Sequence, residues 1–68
     1  MKIEYNKKAD LLYLRLDARS QQVINQRVAD DIVLDVGAEE KIVGIEILNA
    51  SKNVDLAHLL PLQFERVD

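Results

Sequence analysis

The chain predicts an α+β fold, an antiparallel β-meander sheet of about five strands with one short C-terminal helix packed on it. Two observations carry that expectation. Apolar and polar residues alternate at period two through successive stretches up to Leu48, as in strands with one covered face. The period then changes, with Leu56, Leu59 and Leu60 at i, i+3 and i+4, which is one face of a helix.

Ile3 and Tyr5 alternate with Lys2, Glu4 and Asn6, and Leu12, Leu14 and Leu16 alternate with Leu11, Tyr13 and Arg15. The polar stretch from Asn6 to Asp10 between them is turn-like, so a hairpin is expected. From about Gln21 to Ala29 the pattern weakens, and Val23 and Val28 differ in parity. A bulge or an exposed edge strand explains both facts. Ile32, Leu34 and Val36 alternate again, followed by Val43, Ile45 and Ile47. A loop of Gly37, Ala38, Glu39 and Glu40 makes these a hairpin with Leu34 opposite Val43 and Ile32 opposite Ile45.

The helix is expected over about 51–60, with Ser51 or Asn53 as cap and Pro61 as stop. Leu62 and Phe64 then alternate with Gln63 and Glu65, as in a last strand or an arm reaching a neighbour. One domain over 1–68 is the expectation: sheet over about 1–48, helix, and arm over 61–68. No repeat, low-complexity segment or linker divides it.

A chain of 68 residues buries only about 60% of the surface it exposes when unfolded. Domains this small usually gain stability from a staple. The chain has no cysteine and one histidine, which removes disulfides and the usual zinc sites. Oligomerisation is the staple left. The composition, 49% hydrophobic and 31% charged, is that of a folded domain. Its nine Lys and Arg against twelve Asp and Glu give a net charge of −3, which opposes nucleic-acid binding by an isolated monomer. Tyr5, Tyr13 and Phe64 are too few aromatics for a base-stacking platform. No stretch is long and apolar enough to span a bilayer or to form a signal peptide. The sequence reads as cytoplasmic.

The segments KIEYNKKADLLYLRL and DDIVLDVGAEEKIVGIEILNASK resemble the small bacterial and archaeal family called domain of unknown function 2283. Its members open on KIEYD-x-x-x-D-x-L-Y-I and continue with G-I-V-L-D and I-V-G-I-E-I-L-x-A-S. The match covers most of residues 1 to 52, including Tyr5, Asp10, Tyr13, Asp35, Gly44, Glu46 and Ser51. The resemblance implies a β-meander closed by a helix and a family without an assigned activity. Two positions depart from it: Glu40 stands where the family commonly has glycine, and Asp31 replaces a glycine often seen at the start of the fourth strand. A left-handed backbone at Glu40 would cost on the order of 1 kcal/mol.

In the register above, Asp31, Asp35 and Glu46 share the face opposite the core, with Asp31 across from Glu46. Such oxygens could hold a calcium or magnesium ion or raise one another's pKa. The plainer reading is the solvated face of a sheet, since no glycine-rich loop or EF-hand spacing accompanies them. His58 has no evident triad partners in Ser20 or Ser51, so it reads as a helix-flank residue. Tyr5 and Tyr13 suit either a ligand or interface anchor or ordinary partly buried sheet positions. Gly44 marks either a close approach to the sheet or a weak spot in the strand.

No phosphate loop, dinucleotide fingerprint, zinc motif or nucleophile elbow is present, and no cofactor is expected. The leading functional expectation is a non-catalytic protein-interaction module. It would self-associate as a dimer and could serve, by analogy with antitoxins, as the acidic partner of a small basic protein. The alternative is a small carboxylate-based metal-binding protein or enzyme on Asp31, Asp35 and Glu46. The expected dimer interface is the apolar end of the chain, Leu56, Leu59, Leu60, Leu62 and Phe64.

Overall fold

A computed structural model of the chain describes residues 1–59 and Arg66. Five antiparallel strands form one sheet: β1 (Lys2–Asn6), β2 (Leu11–Arg15), β3 (Ile24–Ala29), β4 (Ile32–Val36) and β5 (Ile42–Leu48). Two single-turn helices follow, α1 (Ala50–Asn53) and α2 (Leu56–Leu59). The expected single helix over 51–60 is thus two, because the backbone becomes extended at Val54 (φ −136°, ψ 151°). Of the expected interface residues, Leu56 and Leu59 lie half-buried in α2, while Leu60, Leu62 and Phe64 fall outside the described residues.

The strand order is β1-β2-β5-β4-β3, so only β3, β4 and β5 form a meander and the expected five-strand meander is corrected. The segment between β2 and β3 determines this. Leu16 and Asp17 both donate their backbone N–H to Val43 O, at 2.8 and 3.1 Å, which carries the chain past the start of β5. Gln21 Oε1 then accepts from Ala38 N at 3.4 Å, beside the β4–β5 loop. The chain enters the sheet again at its far edge, where Ile24 pairs with Val36. Asp17 orders this crossover by accepting from Arg19 N and Nε, each at 3.0 Å.

The β4–β5 register is also corrected. Leu34 pairs with Ile45 and Ile32 with Ile47, two residues from the expected partners. Two offsets add: the loop closes with Val36 opposite Ile42, one residue from the expected register, and a bulge at Val43, between that pair and the pairing of Asp35 with Gly44, adds the second. The loop itself is a tight 3-10 turn, Ala38–Glu40, in which Glu39 (φ 59°) and Glu40 (φ 60°) are both left-handed.

Paired residues point to the same face. Ile3, Tyr5, Leu12, Leu14, Leu34, Ile45 and Ile47 therefore share one face. Leu12 and Val43 are each 1% exposed and Ala50 is fully buried; they are the buried apolar residues among those described. Each fully buried Leu or Val contributes about 1.5–3 kcal/mol, so the core is thin. β3 is an edge strand exposed along its whole length, with a bulge between Arg27 and Ala29. Both devices inferred from its broken parity are present.

Candidate functional site

The face opposite the core is built in rows across the strands. One row is Glu4, Tyr13, Glu46, Val33 and Arg27; the next is Lys2, Arg15, Gly44, Asp35 and Asn25. Tyr13 reaches diagonally from the first row into the second, where its hydroxyl donates to Asp35 Oδ2 at 2.9 Å. Its path lies over Gly44. A Cβ on Gly44 would meet the Tyr13 ring at Cζ (2.6 Å) and Cε1 (2.8 Å) and would also strike the phenol oxygen. Close approach, rather than a weak spot, is the meaning of this glycine.

The ring and the sheet bury Asp35 until 8% of it is exposed, and Asp35 Oδ1 has no hydrogen-bond partner among the described residues. Glu46 lies diagonally across from Asp35 in the neighbouring row. Burial first, then the neighbouring Asp35 carboxyl, raise Glu46 above the ordinary glutamate range. Burial, followed by the bond to Asp35, likewise raises the Tyr13 phenol.

The other acids are held differently. Asp10, left-handed at φ 52° in the β1–β2 turn, accepts from Tyr5 Oη (2.7 Å) and Ser51 N (3.0 Å) on Oδ1 and from Ser51 Oγ (2.7 Å) on Oδ2. Its backbone oxygen accepts from Ala50 N at 3.0 Å. Asp10 therefore caps α1 from a distant turn, a role expected of Ser51 or Asn53. The residue preceding α1, Asn49, makes no side-chain cap bond. Asp31 holds the other flank of α1, accepting from Asn49 Nδ2 at 3.0 Å and Asn53 Nδ2 at 2.9 Å. The bond from Tyr5 chiefly lowers the Asp10 pKa, and the bond from Asn53 chiefly lowers that of Asp31.

Of the three acids expected together, Asp35 and Glu46 meet, while Asp31 is engaged beside α1 and Val33 stands across from Glu46. Among the described residues no group of three or more His, Cys, Asp or Glu side chains is placed to hold a metal ion. His58 faces Asp55 one turn away on the exposed side of α2. No helix among the described residues is long and apolar enough to cross a membrane.

The residues that carry the family resemblance thus divide into two sets. Tyr5, Asp10 and Ser51 lock the β1–β2 turn to α1, and Tyr13, Asp35, Gly44 and Glu46 form the buried acid pair. Sequence reading placed both tyrosines on adjacent strands but missed Asp10, whose contact with Ser51 spans 41 positions. Its only local signal was a short polar residue suited to a left-handed turn.

An uncharacterised protein of Methanocaldococcus jannaschii is 42% identical to this chain over 72 aligned positions, which cover 98% of the chain. The chain spans 60% of that relative's length. No solved structure matches the chain. The model of the family described as "Protein of unknown function (DUF2283)" matches residues 2–51, from β1 into α1, and the chain belongs to that family.

Proposed function

We propose that the domain is a non-catalytic protein-interaction module that forms a homodimer by pairing β3 with β3 of a second copy. The observation that carries this reading is the β3 edge: all six residues are exposed, with Ile24 75% and Val28 51% accessible, and among the described residues β4 is its only strand neighbour. An unpaired edge with large apolar side chains is a template for another strand, and antiparallel self-pairing closes under twofold symmetry. The opposite edge is guarded by charge, since Lys2 and Glu4 of β1 form an ion pair at 3.0 Å. The thin core supplies the need for a partner. In this reading α2 covers part of the apolar face, and the net charge of −3 leaves the dimer suited to a small basic protein.

Sedimentation across a concentration series tests the proposal. The wild-type chain is expected to dimerise at micromolar concentration, and Ile24→Lys, which places a charge on the edge, is expected to remain folded and become monomeric. A wild-type chain that stays monomeric would sink the reading. If Ile24→Lys remains dimeric while a chain ending at Leu60 does not, association belongs to the C-terminal arm instead.

A further inference from the structure

The polar face carries a groove of about 370 Å³ whose lining includes Glu4, Asn6, Tyr13, Asn25, Asp35 and Glu46. Two features set it apart from an ordinary solvated acidic patch. Asp35 is nine-tenths buried and its Oδ1 has no hydrogen-bond partner among the described residues, which is a costly state for a carboxylate. In addition, each cation on this face is engaged with groups other than Asp35 and Glu46. Lys2 pairs with Glu4, Arg15 donates to Asp17 O at 2.9 Å and Arg19 O at 3.3 Å, and Arg27 donates to Asp30 O.

We propose that this groove binds a guanidinium cation between the carboxyls of Asp35 and Glu46. A guanidinium is planar, weakly hydrated and presents its N–H donors as a fork, which matches carboxylate oxygens better than an ammonium does. A calcium or magnesium ion needs about six oxygen ligands, and among the described residues no group of three or more His, Cys, Asp or Glu side chains is placed to hold a metal ion. The cation favours the anionic form of Glu46, so the proton that a raised Glu46 holds leaves to solvent as the cation enters. Affinity therefore rises with pH. The other charged or titratable groups on this face are Lys2 and Glu4 from β1, Tyr13 and Arg15 from β2, and Arg27 from β3. The site does not depend on β3 pairing.

The test is a titration of the full chain with methylguanidinium, followed by backbone amide NMR at about pH 4 and about pH 8, the first below and the second far above the ordinary glutamate value. Shifts are expected at Tyr13, Asp35 and Glu46, with tighter binding at the higher pH. Glu46→Gln is expected to weaken binding about tenfold. The pH comparison uses the wild-type chain, so it stands even if the variant folds poorly. No shift at tens of millimolar, equal affinity at both pH values, or undiminished binding by folded Glu46→Gln would each overturn the proposal. Displacement of methylguanidinium by magnesium at lower concentration would overturn it in favour of a metal. A capped tripeptide with central arginine that binds about tenfold more tightly than methylguanidinium assigns the cation to a polypeptide, and equal binding assigns it to a free small molecule.

Discussion

Two pairs of acids in this small sheet are treated in opposite ways. Asp10 and Asp31 flank α1, where hydroxyl, amide and backbone donors satisfy their oxygens and hold both as anions. Asp35 and Glu46 face each other between β4 and β5, with one tyrosine hydroxyl as their donor and no cation of their own. The first pair stitches turns to a helix. The second is left incomplete, with Asp35 Oδ1 buried and without a hydrogen-bond partner among the described residues. Alternation along a strand places an acid on the outer face, but the donors that meet it decide whether it is structural or available.

The largest effect that sharpens this comparison is expected at Asp10. Asp10→Ala removes three acceptor contacts at once and leaves a left-handed alanine, so its melting temperature is expected to fall further than that of Gly44→Ala or Asp31→Asn. Asp10→Asn tolerates the left-handed backbone and should fall less. Equal losses for the two Asp10 variants would mean that the bonds to Tyr5 and Ser51, not the left-handed backbone, hold the turn to α1.

Next in size is Gly44→Ala, whose Cβ must displace the Tyr13 ring. A loss of about 1–3 kcal/mol by chemical denaturation is expected, together with a fall in the Tyr13 phenol pKa as its bond to Asp35 opens. A variant as stable as wild type would contradict the packing of that ring.

The pH dependence of stability divides along the same line. Asp10 and Asp31 are lowered on folding, so their contribution is present above the unfolded aspartate value and is lost as pH falls through the folded values. Glu46 is raised, so the folded state binds the extra proton, and stability falls as pH rises from the unfolded glutamate value through the folded one. Thermal melts of Glu46→Gln are expected to lack that decline, whereas Asp31→Asn should alter only the acid side. A decline that persists unchanged in Glu46→Gln would assign it to another group.

The smallest effect lies outside both pairs. Glu40 is left-handed at φ 60°, so Glu40→Gly removes backbone strain, partly offset by glycine's greater unfolded freedom. A gain of a few tenths to about 1 kcal/mol is expected. A loss would show that Glu40 makes a contact worth more than the strain.

Much of the sheet was legible because period-two alternation is local. Ile3 to Leu16 and Ile32 to Ile47 declare their faces, and the broken parity of Val23 and Val28 declares an edge. Strand order was not legible, since nothing within residues 16–23 says that the chain passes the start of β5 and rejoins the sheet at its far edge. The register escaped for a related reason: the loop and the bulge at Val43 each move the pairing by one residue, and together they keep the alternation. That combined shift took Asp31 away from Glu46 and put Gly44 beside Asp35. The acid pair was thus half legible, as two outward carboxylates, and its Tyr13 cover and the Asp10 clamp depended on contacts between distant segments.

The contrast between the two acid pairs is tested most directly by following the side-chain carboxyl carbons of Asp10, Asp31 and Glu46 by NMR during a pH titration of one sample. Glu46 is expected to titrate above the ordinary glutamate value of about 4.3, and both aspartates below their ordinary value of about 3.9. A Glu46 midpoint at or below about 4.3 would contradict its burial beside Asp35, and with it the distinction between the acids that stitch turns to α1 and the buried pair.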